Sequence, residues 1–184
     1  MNNLSDVELM NQIKKGEQEA FVSLVRRYQQ PLLNFFIRLN ANNTDAEDLV
    51  QETFLKLFNY RFRYERTAKF TTFLYTLAYH SWVDYKRKCG KVLTIESEIQ
   101  SDEHSVVDCN TPIHTKINLK DALAKLSEEH RTVIVMSIYS ELKHQEIAEI
   151  LGVPLGTVKS RIHFALKQLR EILSYEPITT RNGK

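Results

Sequence analysis

Apolar residues recur along this chain at intervals of three and four, never in the strict alternation of a strand, so the pattern predicts helices throughout. Ser5 with Glu8 reads as a capping box for a first helix that ends at Gly16. A longer helix follows, with Ala20, Phe21, Leu24, Val25 and Tyr28 on one side. Pro31 is expected to kink or break it before Leu32, Phe35, Phe36 and Leu39 resume the stripe. After a turn at 40–43, Thr44 and Glu47 suggest a second capping box, opening a helix over 45–59. Its buried stripe is Leu49, Val50, Thr53, Phe54, Leu57 and Phe58. Phe70, Phe73, Leu74, Leu77 and Ser81 line one side of the next helix. Farther on, Leu119, Ala122, Leu123 and Leu126 mark another. Ser127 can cap its successor, which carries Val133, Ile134, Met136, Ile138 and Tyr139. The fold class that follows is all-α.

Residues 146–162 (EIAEILGVPLGTVKSRI) read as two short helices about a tight turn. Ile147, Ile150 and Leu151 share one face, and Ala148 leaves room for a close crossing. Gly152 can adopt the positive φ that the turn needs, and Pro154 presets φ near the second helix start. Val158, Ile162 and Ala165 or Leu166 face inward, leaving Thr157, Lys159, Ser160, Arg161, His163 and Lys167 outward. Hydroxyl and basic groups on such a helix suit a DNA major groove.

Charge is spread unevenly. Residues 1–90 hold 13 Lys+Arg against 10 Asp+Glu, residues 91–115 one against five, and residues 116–184 eleven against eight. Two mildly basic halves therefore flank an acidic segment at 91–115, whose Ser, Asp, Glu, Asn and Thr content and lost periodicity predict a linker. Cys89 and Cys109 lack ligand spacing and read as reduced thiols rather than a disulfide closing that segment. The polar start shows no signal peptide, and the longest uncharged run, 71–83, is too short to span a bilayer, so a soluble intracellular chain is expected. The end, 176–184, is expected to fray.

Two surfaces of the first half carry candidate chemistry. Opposite the buried stripe of 45–59 lie Asp48, Gln51, Glu52 and Leu55, an acidic face with one apolar residue, suited either to protein docking or to solvent. Residues 53–88 hold eleven of the 18 Phe, Trp and Tyr, with eight Lys+Arg against two acids. Rings interleaved with cations suit unpaired nucleic acid, whose bases stack on rings while cations hold the backbone. Phe54, Phe58, Phe70 and Phe73 read as core. Tyr60, Tyr64, Tyr75, Tyr79 and Trp82 stay open between core and base contact.

Three segments in order resemble bacterial RNA polymerase sigma factors of the extracytoplasmic-function, or group 4, type of the sigma-70 superfamily. Residues 44–58 (TDAEDLVQETFLKLF) look like region 2.2, and residues 70–85 (FTTFLYTLAYHSWVDY) like regions 2.3 and 2.4. Residues 145–162 look like region 4.2. The resemblance implies a region 2 domain over 1–90 and a region 4 domain over 116–175. By that resemblance Asp48, Gln51, Glu52 and Leu55 dock on the β′ clamp helices of core polymerase, and the β flap is a further contact. Tyr60, Arg61, Arg63, Tyr64, Arg66 and Lys69, with Tyr75, Tyr79, His80, Trp82 and Lys86, meet unpaired minus-10 bases. Lys159, Ser160 and His163 meet minus-35 base edges, and Thr157, Arg161 and Lys167 the phosphates. Promoter DNA and an anti-sigma factor are implied partners. Tyr79-His80, Leu126-Ser127, Lys143 and His163 depart from commoner family residues, so promoter sequence does not transfer.

No phosphate-binding loop or nucleophile–base pair is visible. The histidines at 80, 104, 114, 130, 144 and 163 are scattered, so neither cofactor nor catalysis is expected. The rival readings are an autonomous helix-turn-helix regulator, and a nucleic-acid-processing enzyme using Asp45, Asp48 and Asp84 as metal carboxylates.

Overall fold

A computed structural model of the chain describes residues 4–65, 69–99 and 119–174. All regular structure among them is helical, in two compact units: the first four helices form one, and those from Leu119 onward the other. None of the described helices is long and apolar enough to cross a membrane. Arg66, Cys109 and the segments 100–118 and 175–184 lie outside the described residues.

In the first unit, α1 spans Asp6–Lys14 and has the expected capping box: Ser5 Oγ accepts from the Glu8 N–H while Glu8 accepts from the Ser5 N–H at 2.7 Å. Gly16, at φ 94°, turns the chain into α2, Gln18–Arg38. This helix runs unbroken through Pro31, contrary to the expected break. Pro31 is exposed, so the one backbone acceptor it orphans can bond water, while Leu32, Phe35 and Phe36 beyond it are buried. Asp6 ties α1 to α2 by accepting from Tyr28 Oη at 2.6 Å and pairing with Arg27. Asn40 takes a left-handed turn at φ 80°.

The third helix, α3, spans Asn43–Asn59, and its cap is Asn42 rather than Thr44: Asn42 Oδ1 accepts from the Asp45 N–H at 2.8 Å. An amide two residues earlier does the work the hydroxyl was expected to do. Ala46, Leu49, Thr53, Phe54 and Leu57 are its buried stripe, and Thr53 Oγ1 is satisfied by the Leu49 carbonyl at 2.7 Å. Phe58, expected in the core, is 42% exposed. A 3-10 turn at Arg61–Arg63 leads to α4, Phe70–Ile99, which crosses α3. The helix continues nine residues into the segment read as linker. The apolar period in the sequence stops before the helix does.

In the second unit, α5 (Leu119–Ala124) and α6 (Glu128–Ile134) meet at a tight junction. Ser127 caps α6 as expected. Arg131 of α6 reaches back and donates to the carbonyls of Leu123 at 2.8 Å, Ala124 at 2.8 Å and Leu126 at 2.7 Å. Leu123 and Ala124 lie in the last turn of α5, where carbonyls lack intrahelical partners, and Leu126 lies in the junction. Burial holds the Arg131 guanidinium below its ordinary pKa.

A π-helical turn, Val135–Tyr139, follows. The extra residue that a π turn accommodates rotates the stripe, so Ile138, expected inward, is 52% exposed while Val135 and Met136 are buried. Then come α7, His144–Leu151, and α8, Leu155–Ser174. Gly152 joins them at φ 64° and ψ 32°. The inward face of α8 is Val158, Ala165 and Leu169, with Ile162 packed against it; Leu166 turns out to be 36% exposed.

Candidate nucleic-acid interface

Because α3 buries its Ala46–Leu49–Thr53–Leu57 stripe, Asp48, Gln51 and Leu55 must point away from it, and all three are exposed. Leu55 is 64% exposed, an apolar tip between acids. Glu52 is half-buried and pairs with Lys56 at 2.8 Å; Lys56 also reaches Asp84 of α4 at 3.3 Å. Burial pulls the Lys56 pKa down, but the hydrogen bonds and charges of Glu52 and Asp84 outweigh it and the net shift is upward. Asp84 thus belongs to a cross-helix ion-pair group with Lys56 and Arg87. Asp45 accepts from Tyr85 Oη. Two of the three carboxylates of the metal-site reading, Asp45 and Asp84, are therefore engaged with protein partners, while Asp48 is exposed.

The ring-and-cation segment after α3 is ordered by its own alternation. The Arg61 guanidinium lies between two rings, 4.1 Å from the Phe58 centroid and 4.4 Å from that of Phe62, and donates to the Phe58 carbonyl at 2.6 Å. Arg63 stands 4.7 Å from the Tyr60 ring. Tyr60 is 39% and Phe62 65% exposed, which makes Phe62 the most open ring of the segment. Phe62 is not among the candidates above; its place in the alternation of rings and cations is its signal in the sequence.

Three expected base contacts are corrected. Tyr64, Tyr75 and Trp82 are buried, at 2%, 4% and 3% exposure, and offer no face to a base. Tyr64 packs on Phe70 and Phe73, with Lys14 over its ring at 5.7 Å. Tyr75 meets Phe35 edge-on at 5.2 Å, and Trp82 stacks on Tyr85 at 5.6 Å. α4 packs on α3, and its Phe70 and Tyr75 also meet Tyr28 and Phe35 of α2, so its apolar stripe is wider than a single seam. Tyr79 is half-buried; His80, Lys69 and Lys86 are exposed, and Lys86 lies 5.7 Å from the Trp82 ring centroid. His80 sits with Lys56, Tyr60, Leu77, Val83, Asp84 and Arg87 around one cleft.

On α8 the expected outward set is arranged along the solvent side. Lys159, Ser160, His163 and Lys167 are exposed, while Thr157 is half-buried. Ser160 Oγ donates to the Thr157 carbonyl at 3.0 Å, and Arg161 pairs with Glu129 at 2.9 Å, a partly exposed contact of small worth. Phe164, not singled out by sequence reading, lies on the same side at 54% exposure.

Residues 24–91 match the family described as sigma-70 region 2, and residues 116–169 that described as sigma-70 region 4. The extracytoplasmic-function (ECF) RNA polymerase sigma factor SigW of Bacillus subtilis (strain 168) is 33% identical over 176 residues, covering 89% of this chain and 94% of its own. The ECF sigma factor SigL of Mycobacterium tuberculosis (strain ATCC 35801 / TMC 107 / Erdman) is 35% identical over 167 residues, with 89% and 94% covered. Among solved structures, the sigma factor RpoE from Bartonella quintana, in complex with the anti-sigma factor NepR, aligns with a TM-score of 0.70 at 25% identity. That alignment covers 85% of this chain and 98% of that one.

Proposed function

The chain belongs to the extracytoplasmic-function sigma factors, which direct RNA polymerase to promoters, and from that membership we propose a division of labour among its surfaces. The α3 face of Asp48, Gln51, Glu52 and Leu55 docks on the β′ clamp helices of core polymerase, with Leu55 as apolar anchor. The turn after α3, with Tyr60, Arg61 and Arg63, and then Lys69, Tyr79, His80 and Lys86, engages the opened minus-10 element. Lys159, Ser160 and His163 of α8 read minus-35 base edges, while Thr157, Arg161 and Lys167 hold phosphates. The second unit also meets the β flap.

The chain supplies binding free energy rather than catalysis. Unstacking a base step costs a few kcal/mol, and each base restacked on a protein ring returns about 1–3 kcal/mol. We place this work in the cytoplasm. By analogy with the Bartonella quintana complex, an anti-sigma protein is a regulating partner.

One observation carries the reading: a helix-turn-helix and a separate, exposed ring-and-cation segment occur on one chain. An autonomous duplex-binding regulator has no use for the second. The test is run-off transcription by sigma-free core on a pool of random promoters, with and without this protein. Initiation from a subset sharing two elements is expected. Asp48→Arg combined with Leu55→Asp should abolish core binding and leave the helical content unchanged. Tight duplex binding by the chain alone, with no effect on core, would instead establish the autonomous regulator.

A further inference from the structure

Of the large apolar groups that α8 exposes, Phe164, Leu173 at 48% and Leu166 at 36%, Phe164 is the most open and the assignments above leave it unused. Phe164 is 54% exposed, although its neighbour Ala165 is fully buried. Residues three and four apart are neighbours on a helix, so Phe164 stands between Ser160 and Lys167, both exposed. Its ring meets the exposed His163 ring edge-on at 5.6 Å. A single exposed apolar residue is ordinary on a protein surface. This one is placed among the hydroxyl, imidazole and ammonium groups assigned to DNA.

The chemistry of the groove narrows what such a ring can recognise. Phe has no donor or acceptor, so it cannot read the edges of guanine, adenine or cytosine by hydrogen bonding. The one apolar feature of the major groove is the 5-methyl group of thymine. We propose that Phe164 recognises a thymine of the minus-35 element through contact of its ring with that methyl group. The residue is then a specificity determinant beside the hydrogen-bonding set, and the edge contact from His163 orients its ring. The proposal rests on the reading of α8 as the minus-35 helix.

The test uses the full chain assembled with sigma-free core polymerase and a promoter drawn from the random pool. Each thymine of its minus-35 element, on either strand, is replaced singly by deoxyuridine, which removes the methyl and keeps every hydrogen-bonding group. At one position, holoenzyme binding should weaken about fourfold, the factor expected for one buried methyl group. Phe164→Ala should bind the thymine and uracil forms of that position equally, and Phe164→Leu should keep part of the difference. Because the ring is more exposed than buried, thermal unfolding of Phe164→Ala should match the wild type.

Uracil tolerated at every position by the wild type, or a thymine-to-uracil ratio unchanged in Phe164→Ala, overturns the proposal. So does a Phe164→Ala chain that keeps the ratio but binds core less tightly, since the ring would then be a protein contact. A minus-35 element without thymine overturns it as well. A wild-type chain that selects no two-element promoter at all overturns the parent reading of α8, a result distinct from each of these.

Discussion

Arg61 is clasped by Phe58 and Phe62 and bonded to a backbone carbonyl, so its charge serves first to fix rings and only then to attract phosphate. The outer side of Phe62 is left open for a base. Phe62→Ala is expected to weaken open-complex formation about 5- to 150-fold, the value of one lost base stack, while Phe62→Tyr preserves it. Permanganate reactivity of unpaired thymines reads the difference. Tyr28 carries a second residue-scale prediction. Burial, with its hydrogen bond to Asp6, raises its pKa above the ordinary tyrosine value. Its stabilising contribution is therefore complete below about pH 10 and is lost as pH rises toward the folded-state pKa. Urea midpoints of Tyr28→Phe should fall less steeply than wild type above pH 10. At this scale the sequence revealed the chemistry of 53–88 but not its orientation. Alternation of rings and cations can be read from the chain. Which ring faces out depends on tertiary contacts, such as Tyr64 with Lys14 and Phe73 and Tyr75 with Phe35, and so Tyr64, Tyr75 and Trp82 could not be told from Phe62.

At the scale of elements, the helix-turn-helix was legible because its determinants are local. Gly152 holds a left-handed φ of 64° that an L side chain tolerates poorly, and Pro154 stands just before α8. Gly152→Ala should destabilise the second unit by about 1–2 kcal/mol through backbone strain alone, since a Cβ there meets nothing within 4 Å. Gly156, inside α8 and equally open, has no such φ. Gly156→Ala should be stabilising by about 0.5–1 kcal/mol, and urea unfolding of the two variants measures the contrast. Where determinants are not local, the sequence misled. Nothing in the run Val133–Tyr139 signals a π turn, because packing of the surrounding helices decides where the extra residue is accommodated. Pro31 looked like a break, yet solvent at its exposed position makes the lost hydrogen bond cheap.

For the whole molecule, the division into two units was visible in charge and periodicity, whereas the continuation of α4 to Ile99 was not, because the apolar period in the sequence stops before the helix does. Each unit has its own core and, in the proposed division of labour, its own DNA-facing side. Phe62→Ala in the first and Lys167→Ala in the second should therefore reduce promoter binding by holoenzyme additively in free energy, within about 0.5 kcal/mol. Equilibrium binding of the two single variants and the double variant decides it. The triple carbonyl contact of Arg131 has a consequence for the order in which the second unit is assembled. With six residues, α5 is far below the length at which a helix persists alone in water. Its terminating group belongs to the following helix, so α5 can be completed only after α6 has formed, and the first turn in sequence becomes the last to be locked in time.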